Sequence, residues 1–139
     1  MARKIIYVVA FIGLSLAVLA YVVTRPGELV TPTGSGTVTV DGQTFEAFPL
    51  PDYVTSITGG DYLSYLIEVE PGIKIHMLEV GRGFPLFLQH GNPTSGLLYR
   101  KVAEALGADQ FRIIMPTLAG LGFSSKIPAH QHTVENHVR

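Results

Sequence analysis

The longest apolar stretch of the sequence is an uncharged run near the N-terminus, from Ile5 to Val23. As a helix rising about 1.5 Å per residue, this run would be about 28 Å long, close to the roughly 30 Å hydrocarbon core of a bilayer. Basic residues at positions 3 and 4 precede it, which favours a cytoplasmic N-terminus. The pattern predicts a single transmembrane anchor over residues 1–24, with the remainder periplasmic or extracellular. A cleaved signal peptide followed by secretion is the alternative.

Residues 25–60 are rich in Thr, Pro and Gly and carry few charges. Prolines at positions 26, 32, 49 and 51 exclude a long helix, so we expect this segment to be a tether. Within the segment, the pair Asp41-Gly42 stands between two short stretches of strand-forming residues. That arrangement predicts a small β-hairpin inside the tether.

Residues 61–139 carry the patterns of a folded domain. Between positions 62 and 80, apolar and polar residues alternate on both sides of Pro71-Gly72, which predicts an antiparallel hairpin with one solvated face. Two continuous apolar runs follow, Phe84–Leu88 and Phe111–Met115, as in strands covered on both faces. Apolar residues at helical spacing separate them, so strand, helix and strand form a βαβ unit with parallel strands and a right-handed crossover. The predicted fold class is α/β.

The helix between these two strands has signals at both of its ends. Thr94 or Ser95 is positioned to cap its N-terminus, and Gly107 is positioned to end it. A helix is therefore expected between the two strands.

The stretch His90-Gly91-Asn92-Pro93 follows the first parallel strand and precedes the helix. Ligands of open α/β sheets bind at the carboxyl ends of strands. Backbone N–H groups at a helix N-terminus are unpaired and lie at its positive end, which suits an oxyanion. Gly91 permits a close approach of the backbone, and a bond preceding proline is one where a cis peptide is affordable. A simple strand-to-helix turn is the alternative interpretation.

Composition narrows the possible functions. A net charge of −1 over 139 residues gives no support for a nucleic-acid partner or a strongly charged substrate. The absence of cysteine excludes disulfides, zinc–thiolate sites and a thiol nucleophile. His130, His132 and His137 have no carboxylate at metal-site spacing, so we expect solvated histidines and predict neither a metal nor another cofactor.

Two stretches resemble motifs of a known family. His90–Arg100, HGNPTSGLLYR, and Met115–Pro128, MPTLAGLGFSSKIP, are similar to segments of the α/β-hydrolases, specifically the haloalkane dehalogenase and epoxide hydrolase branch. The resemblance covers roughly residues 62–139. It implies the N-terminal half of an α/β-hydrolase sheet, an antiparallel hairpin and then βαβ, preceded in this chain by the predicted transmembrane helix. Thr117 stands where the family usually has an Asp that organises the loop.

The resemblance also implies roles for individual residues. The residue after His-Gly in this family supplies a backbone N–H to an oxyanion hole, and in this chain that residue is Asn92. The Asn92 side-chain amide would also hold a departing halide, and Pro93 would complete the substrate-binding turn. The remaining motif residues would be structural: His90, Gly91, Gly120 and Gly122. A dinucleotide-binding loop is not favoured for the last two glycines, because Ser125 stands where the third glycine would be.

The motif that carries the nucleophile in these enzymes is not found in the sequence. Neither Gly-x-Ser-x-Gly nor Gly-x-Asp-x-Gly occurs, and the four aspartates lie in predicted turns or in the tether: Asp41, Asp52, Asp61 and Asp109. We therefore expect a truncated hydrolase, inactive alone, that ends before its nucleophile. An Asp nucleophile would act on carbon–halogen or epoxide bonds of a small molecule, and a Ser nucleophile would indicate an esterase or peptidase. A non-catalytic, membrane-anchored binding module is the second interpretation.

Overall fold

The computed structural model describes residues 2–24, 27–59 and 61–138. The predicted segment bounds at positions 1, 25, 60 and 139 lie outside the described residues. The elements in chain order are α1 (Ala2–Thr24), β1 (Thr37–Val40), β2 (Gln43–Ala47), α2 (Asp52–Thr58), β3 (Leu63–Glu70), β4 (Ile73–Gly81), β5 (Phe84–Phe87), a 3-10 turn (Gly96–Tyr99), α3 (Arg100–Leu106), β6 (Phe111–Thr117), a second 3-10 turn (Ala129–Gln131) and α4 (Val134–His137).

The N-terminal run is helical, since α1 extends over 23 residues. Within the part of the chain that the structure describes, no helix combines the length and apolarity that a membrane crossing requires. The predicted transmembrane anchor is therefore not confirmed.

The six strands form one sheet in the order β1-β2-β3-β4-β6-β5. β3 and β4 pair antiparallel across Pro71-Gly72, and β4 pairs antiparallel with β6. β5 and β6 are parallel, with α3 between them in sequence. The predicted α/β class, with a hairpin followed by a βαβ unit, is confirmed.

β5 differs from its prediction in one respect. Its continuous apolar sequence predicted a strand covered on both faces, yet Phe84 and Phe87 are 70% and 62% exposed. The reason is that, among the described residues, β5 pairs on one side only, with β6, and is the edge strand of the sheet.

The β1–β2 hairpin turns at the predicted pair, Asp41-Gly42, and both residues have positive φ, 50° and 79°. A two-residue type I′ turn needs this conformation at both central positions, which explains the Asp-Gly sequence. Glu46 and Ala47 of β2 also pair with β3. The hairpin is therefore part of the main sheet.

The segment predicted to be a tether is thus largely folded between residues 37 and 58. Composition indicated a linker because charges are few and prolines frequent, but the hairpin buries apolar surface. Val40 is 8% exposed and packs with Tyr65 and Met77. This tertiary contact was not visible in the local pattern.

Apolar clusters lie on both faces of the sheet, because successive side chains of a strand point to opposite sides. One cluster joins Leu78, Ile113 and Met115 to Ala103 of α3. The other joins Tyr65 and Met77 to the β1–β2 hairpin. Together they fix the position of β6, whose carboxyl end carries the candidate site.

Candidate anion-binding turn at the carboxyl edge of the sheet

Two connections meet at the carboxyl ends of the parallel strands. Leu88, just after β5, donates its backbone N–H to the carbonyl of Ile114 in β6 at 2.9 Å, so both strands reach the same edge. The turn of residues 90–95 leaves β5, and the loop of residues 118–125 leaves β6. This edge is where α/β sheets bind ligands.

Asn92 is exposed at the tip of the turn, and its peptide bond to Pro93, which is also exposed, is cis. Within the described residues, neither the backbone N–H of Asn92 nor its side-chain amide has a hydrogen-bond partner. Three N–H donors are therefore free on one residue. The close backbone approach predicted for Gly91 at a ligand site stays a prediction; within the protein, a Cβ added there would meet no heavy atom within 4 Å. Nothing in the described residues requires glycine at that position.

His90 lies beneath the turn and is 3% exposed. The backbone N–H of Leu118 donates to His90 Nε2 at 3.0 Å, so Nε2 carries no proton. His90 Nδ1 lies 2.9 Å from the carbonyl oxygen of Gly91, and only a protonated Nδ1 makes a bond there. The neutral Nδ1–H tautomer thus engages both ring nitrogens, an arrangement that links the turn to the loop after β6.

The carbonyl groups at the base of the turn are also occupied. Thr94 donates both its backbone N–H and its hydroxyl to the Gly91 carbonyl, at 3.0 and 2.6 Å. The Tyr99 hydroxyl donates to the Gln89 carbonyl at 2.8 Å. With the Gly91 and Gln89 carbonyls paired and the Asn92 donors free, the turn presents unpaired N–H groups, which favours a negatively charged ligand.

The helical segment after the turn starts differently from its prediction. Ser95 precedes the first 3-10 turn without a side-chain cap, and the Thr94 hydroxyl bonds within the turn. Thr117 provides the cap instead, because its Oγ1 accepts the backbone N–H of Gly96 at 3.0 Å. The predicted end is correct, since Gly107 donates its N–H to the Ala103 carbonyl after the last turn of α3.

Gly96 is a position where glycine is required by a close contact. A Cβ added to it would lie 2.6 Å from the carbonyl oxygen of Met115, which is nearer than non-bonded atoms approach. The start of the helical segment therefore lies directly on the backbone of β6. No local sequence pattern marks Gly96 for this contact.

The loop after β6 depends on both predicted glycines. Gly120 has φ of 85°, and an added Cβ would lie 1.9 Å from Cε1 of His132. Gly122 has φ of 45°, and an added Cβ would lie 2.9 Å from Cγ2 of Thr117. Both combine a left-handed conformation with a close neighbour, so a side chain at either position would strain the loop.

Ser124 connects this loop to the sheet, and sequence reasoning missed it. It is 2% exposed. Its hydroxyl donates to the Thr117 carbonyl at 2.5 Å and accepts the backbone N–H of His76 at 2.9 Å. The pair Ser124-Ser125, in an otherwise apolar loop and shortly after the Gly-x-Gly stretch, was the available signal.

His76 of β4 is a buried titratable residue near the same loop. It is 1% exposed, and its ring packs against the rings of Phe48 and Phe123, with centroids 5.2 and 5.3 Å away. The Ser64 hydroxyl donates to the Phe48 carbonyl at 2.6 Å, so it accepts from His76 Nε2 at 2.9 Å. Burial disfavours the charged imidazole and lowers the pKa of His76 to about 4.

The aspartates do not gather at the turn. Asp41 forms an ion pair with Arg112, whose Nη1 lies 2.5 Å from Asp41 Oδ2. Arg112 stands at the start of β6, and Thr117 stands at the other end of that strand. Asp61 and Asp109 line a surface hollow together with Gly81. Gly81 of β4 is the strand partner of Arg112 in β6. Three of the four aspartates therefore lie near the amino end of β6, whereas Asn92 lies near its carboxyl end.

The three C-terminal histidines take different positions. His130 is exposed, whereas His132 and His137 are half-buried with ring centroids 5.6 Å apart. Over the described ranges, no group of three or more His, Asp or Glu side chains is arranged to hold a metal ion.

Comparisons with known proteins agree with this geometry. Residues 85–139 match the family model of the α/β hydrolase fold. The chain is 38% identical over 66 residues to haloalkane dehalogenase 2 of Mycobacterium tuberculosis, covering 48% of this chain and 23% of that protein. It is 47% identical over 55 residues to a soluble epoxide hydrolase of Corynebacterium sp., covering 40% and 19%.

A solved structure extends the likeness to the fold. A haloalkane dehalogenase from Agrobacterium tumefaciens C58 superimposes with a TM-score of 0.53 and 37% identity, over 60% of this chain and 28% of that chain. The chain spans only about a fifth of the length of the curated relatives it matches.

Proposed function

We propose that this chain, whose residues 85–139 match the family model of the α/β hydrolase fold, provides the anion-stabilising turn of a hydrolase of the haloalkane dehalogenase and epoxide hydrolase branch. The observation that carries the proposal is the set of free amide donors on Asn92, at the carboxyl edge of the sheet. Because the relatives are matched over only about a fifth of their length, the activity and the small-molecule substrate of the complete protein are both part of the proposal.

The proposed reaction generates negative charge where these donors lie. A carboxylate nucleophile forms a C–O bond to the substrate carbon while the carbon–halogen or epoxide bond breaks, and the leaving atom takes the electron pair. Water, giving a proton to the base, then attacks the carbonyl carbon of the resulting ester and forms a tetrahedral oxyanion. Collapse of this oxyanion breaks the bond to the substrate oxygen, regenerates the carboxylic group and releases the alcohol, which takes up a proton. Free N–H donors fixed beforehand stabilise such charges without reorganising during the reaction. The backbone N–H of Asn92 would serve the oxyanion, and its side-chain amide would serve the halide.

The other catalytic groups are assigned outside this chain. We propose that an Asp nucleophile and a His base are supplied from beyond residues 1–139. Asp41, Asp61 and Asp109 lie at the opposite edge of the sheet, and His90 is engaged through both ring nitrogens. The chain alone should therefore bind the anion without turning over substrate.

Bromide binding by the full 139-residue chain tests this proposal. The ¹⁵N-labelled chain in mild detergent is titrated with bromide at constant ionic strength, using gluconate as the balancing anion. We expect saturable shifts of the Asn92 backbone and side-chain amide signals. Asn92→Asp should abolish them, because a carboxylate repels the anion.

The chain offers a matched control for that substitution. Asn136→Asp makes the same change at the only other asparagine, on α4, and should leave the bromide titration unaltered. Linear, non-saturating shifts in the wild-type chain, or equal shifts in Asn92→Asp, would contradict the proposal.

We also propose that residues 5–23 hold the chain at a membrane with its N-terminus in the cytoplasm. The uncharged apolar run supports the anchoring, and the basic residues at positions 3 and 4 support the orientation. Fractionation of cells expressing the full chain tests this location. The chain should sediment with membranes and resist extraction by high salt and by alkaline carbonate. Recovery of the intact chain in the soluble fraction would contradict it.

A further inference from the structure

We infer that Thr117 is a positioning residue: its hydroxyl fastens the start of the helical segment and thereby fixes where the Asn92 amides point. The inference rests on the proposed function of the turn. It adds an assignment that the turn alone does not give, because Thr117 lies 25 positions further along the chain.

The first support is the burial of the contact. Thr117 is 1% exposed, and Gly96 is also buried. The Gly96 N–H has Thr117 Oγ1 as its acceptor, at 3.0 Å. A helical segment leaves its first N–H groups unpaired, and a buried one without an acceptor costs more than one in water. The hydroxyl therefore determines whether the segment can begin at this point.

The second support is that consecutive residues of β6 and its loop hold both ends of the turn. Thr117 binds Gly96 at the far end, and Leu118 donates to His90 at the near end, at 3.0 Å. Asn92 lies between these two attachments. Releasing one of them removes one of these two attachments of the turn to β6 and its loop, and the donors of Asn92 then sample a wider range of directions.

The third support is that Thr117 is itself immobilised from the sheet side. Its carbonyl accepts the Ser124 hydroxyl, which in turn accepts the backbone N–H of His76 in β4. A continuous series of hydrogen bonds therefore runs from β4 through Ser124 and Thr117 to Gly96. Positional precision of this kind is what an anion-stabilising site requires of its supporting residues.

Packing around Thr117 makes an isosteric test possible. Its Cγ2 lies 2.9 Å from the point where a Gly122 Cβ would stand, so the methyl group fills that space. Valine keeps the methyl contact and puts a second methyl group, which cannot accept the Gly96 N–H, in place of the hydroxyl. Serine keeps the hydroxyl and removes only the methyl.

The bromide titration of the full chain distinguishes these two variants. Thr117→Val should raise the bromide dissociation constant at Asn92 by about fivefold, equivalent to about 1 kcal/mol, the typical net worth of one hydrogen bond. Thr117→Ser should stay within about twofold of wild type, although it loses packing and melts at a lower temperature. A merely structural role would instead make bromide affinity follow stability in both variants.

Thr39→Val is the matched control, because Thr39 is an exposed threonine of β1, remote from the turn. It should leave bromide affinity unchanged. Wild-type affinity in Thr117→Val, or equal weakening in Thr117→Val and Thr117→Ser, would overturn the inference.

A measurement on the wild-type chain covers the case in which Thr117→Val does not fold. Amide hydrogen exchange should be slow at Gly96 and fast at Asn92, and rapid exchange at Gly96 would overturn the inference. The two proposals also fail separately. If bromide does not bind but the Gly96 amide is protected, the anion site is refuted and the hydrogen bond between Gly96 and Thr117 stands. If bromide binds with the same affinity whether or not Thr117 has its hydroxyl, only the positioning role is refuted.

Discussion

Protonation of His76 should destabilise the fold, because the residue is buried among aromatic rings. It is 1% exposed, with Phe48 and Phe123 against its ring. Its Nε2–H already donates to Ser64. A charged imidazole at this position loses its hydration, and no carboxylate among the described residues pairs with it.

The sign and the size of the effect follow from the pKa. Burial lowers the pKa of His76 from 6.5 to about 4 in the folded chain, so between these values the unfolded chain binds more protons. Stability is therefore complete above about pH 6.5, declines as the pH falls through this window, and levels off below about pH 4. At about 1.4 kcal/mol for each pKa unit, the full loss is about 3 kcal/mol. About 2 kcal/mol of it should be lost between about pH 7.5 and about pH 5.

Urea unfolding of the full chain in mild detergent, followed by circular dichroism, measures this loss. Other groups also titrate, including Glu46, whose pKa is lowered by the hydrogen bond from Lys74. The informative quantity is therefore the difference between wild type and His76→Gln, which keeps a donor for Ser64 and cannot titrate. His130→Gln, at an exposed position, is the matched control.

Either of two results would contradict the claim that burial of His76 makes the fold less stable at low pH. One is an NMR titration in which the His76 ring protonates near its ordinary pKa of about 6.5. The other is a free energy of unfolding whose pH dependence is the same in His76→Gln as in wild type.

Two further pairs of substitutions have expected outcomes in the same unfolding assay. Gly96→Ala places a Cβ 2.6 Å from the Met115 carbonyl oxygen and should cost about 1–3 kcal/mol; Gly91→Ala, with open space around the new Cβ, should cost less than about 0.5 kcal/mol. Equal losses would contradict the close contact. Arg112→Met leaves the carboxylate of Glu79, 4% exposed, without its bidentate partner, and should cost about 3 kcal/mol. Adding Glu79→Gln should recover part of that loss, and no recovery would argue against the ion pair as its cause.

The parts of the fold that could be predicted from the sequence depend on local signals. Asp41-Gly42 and Pro71-Gly72 specify tight turns through their own backbone preferences, and both hairpins form as expected. The parallel pairing of β5 and β6 followed from two apolar runs separated by one helix. In each case, the residues that carry the information are neighbours in the chain.

The parts that could not be predicted depend on contacts between distant positions. The β1–β2 hairpin joins the sheet because Val40 packs against Tyr65 and Met77, which composition does not reveal. Thr117 caps a segment that starts 21 residues earlier, at Gly96. Local propensity had assigned that cap to Thr94 or Ser95, since both residue types favour helix N-termini.

The most direct test of the anion-binding turn is to locate an anion on it. Crystals of the full chain soaked in bromide, with data collected at the bromine absorption edge, reveal bound bromide in an anomalous difference map. We expect a peak within hydrogen-bonding distance of both the backbone nitrogen and the side-chain amide nitrogen of Asn92. Peaks confined to exposed lysine and arginine side chains, with none at Asn92, would contradict the proposed anion-binding role of Asn92.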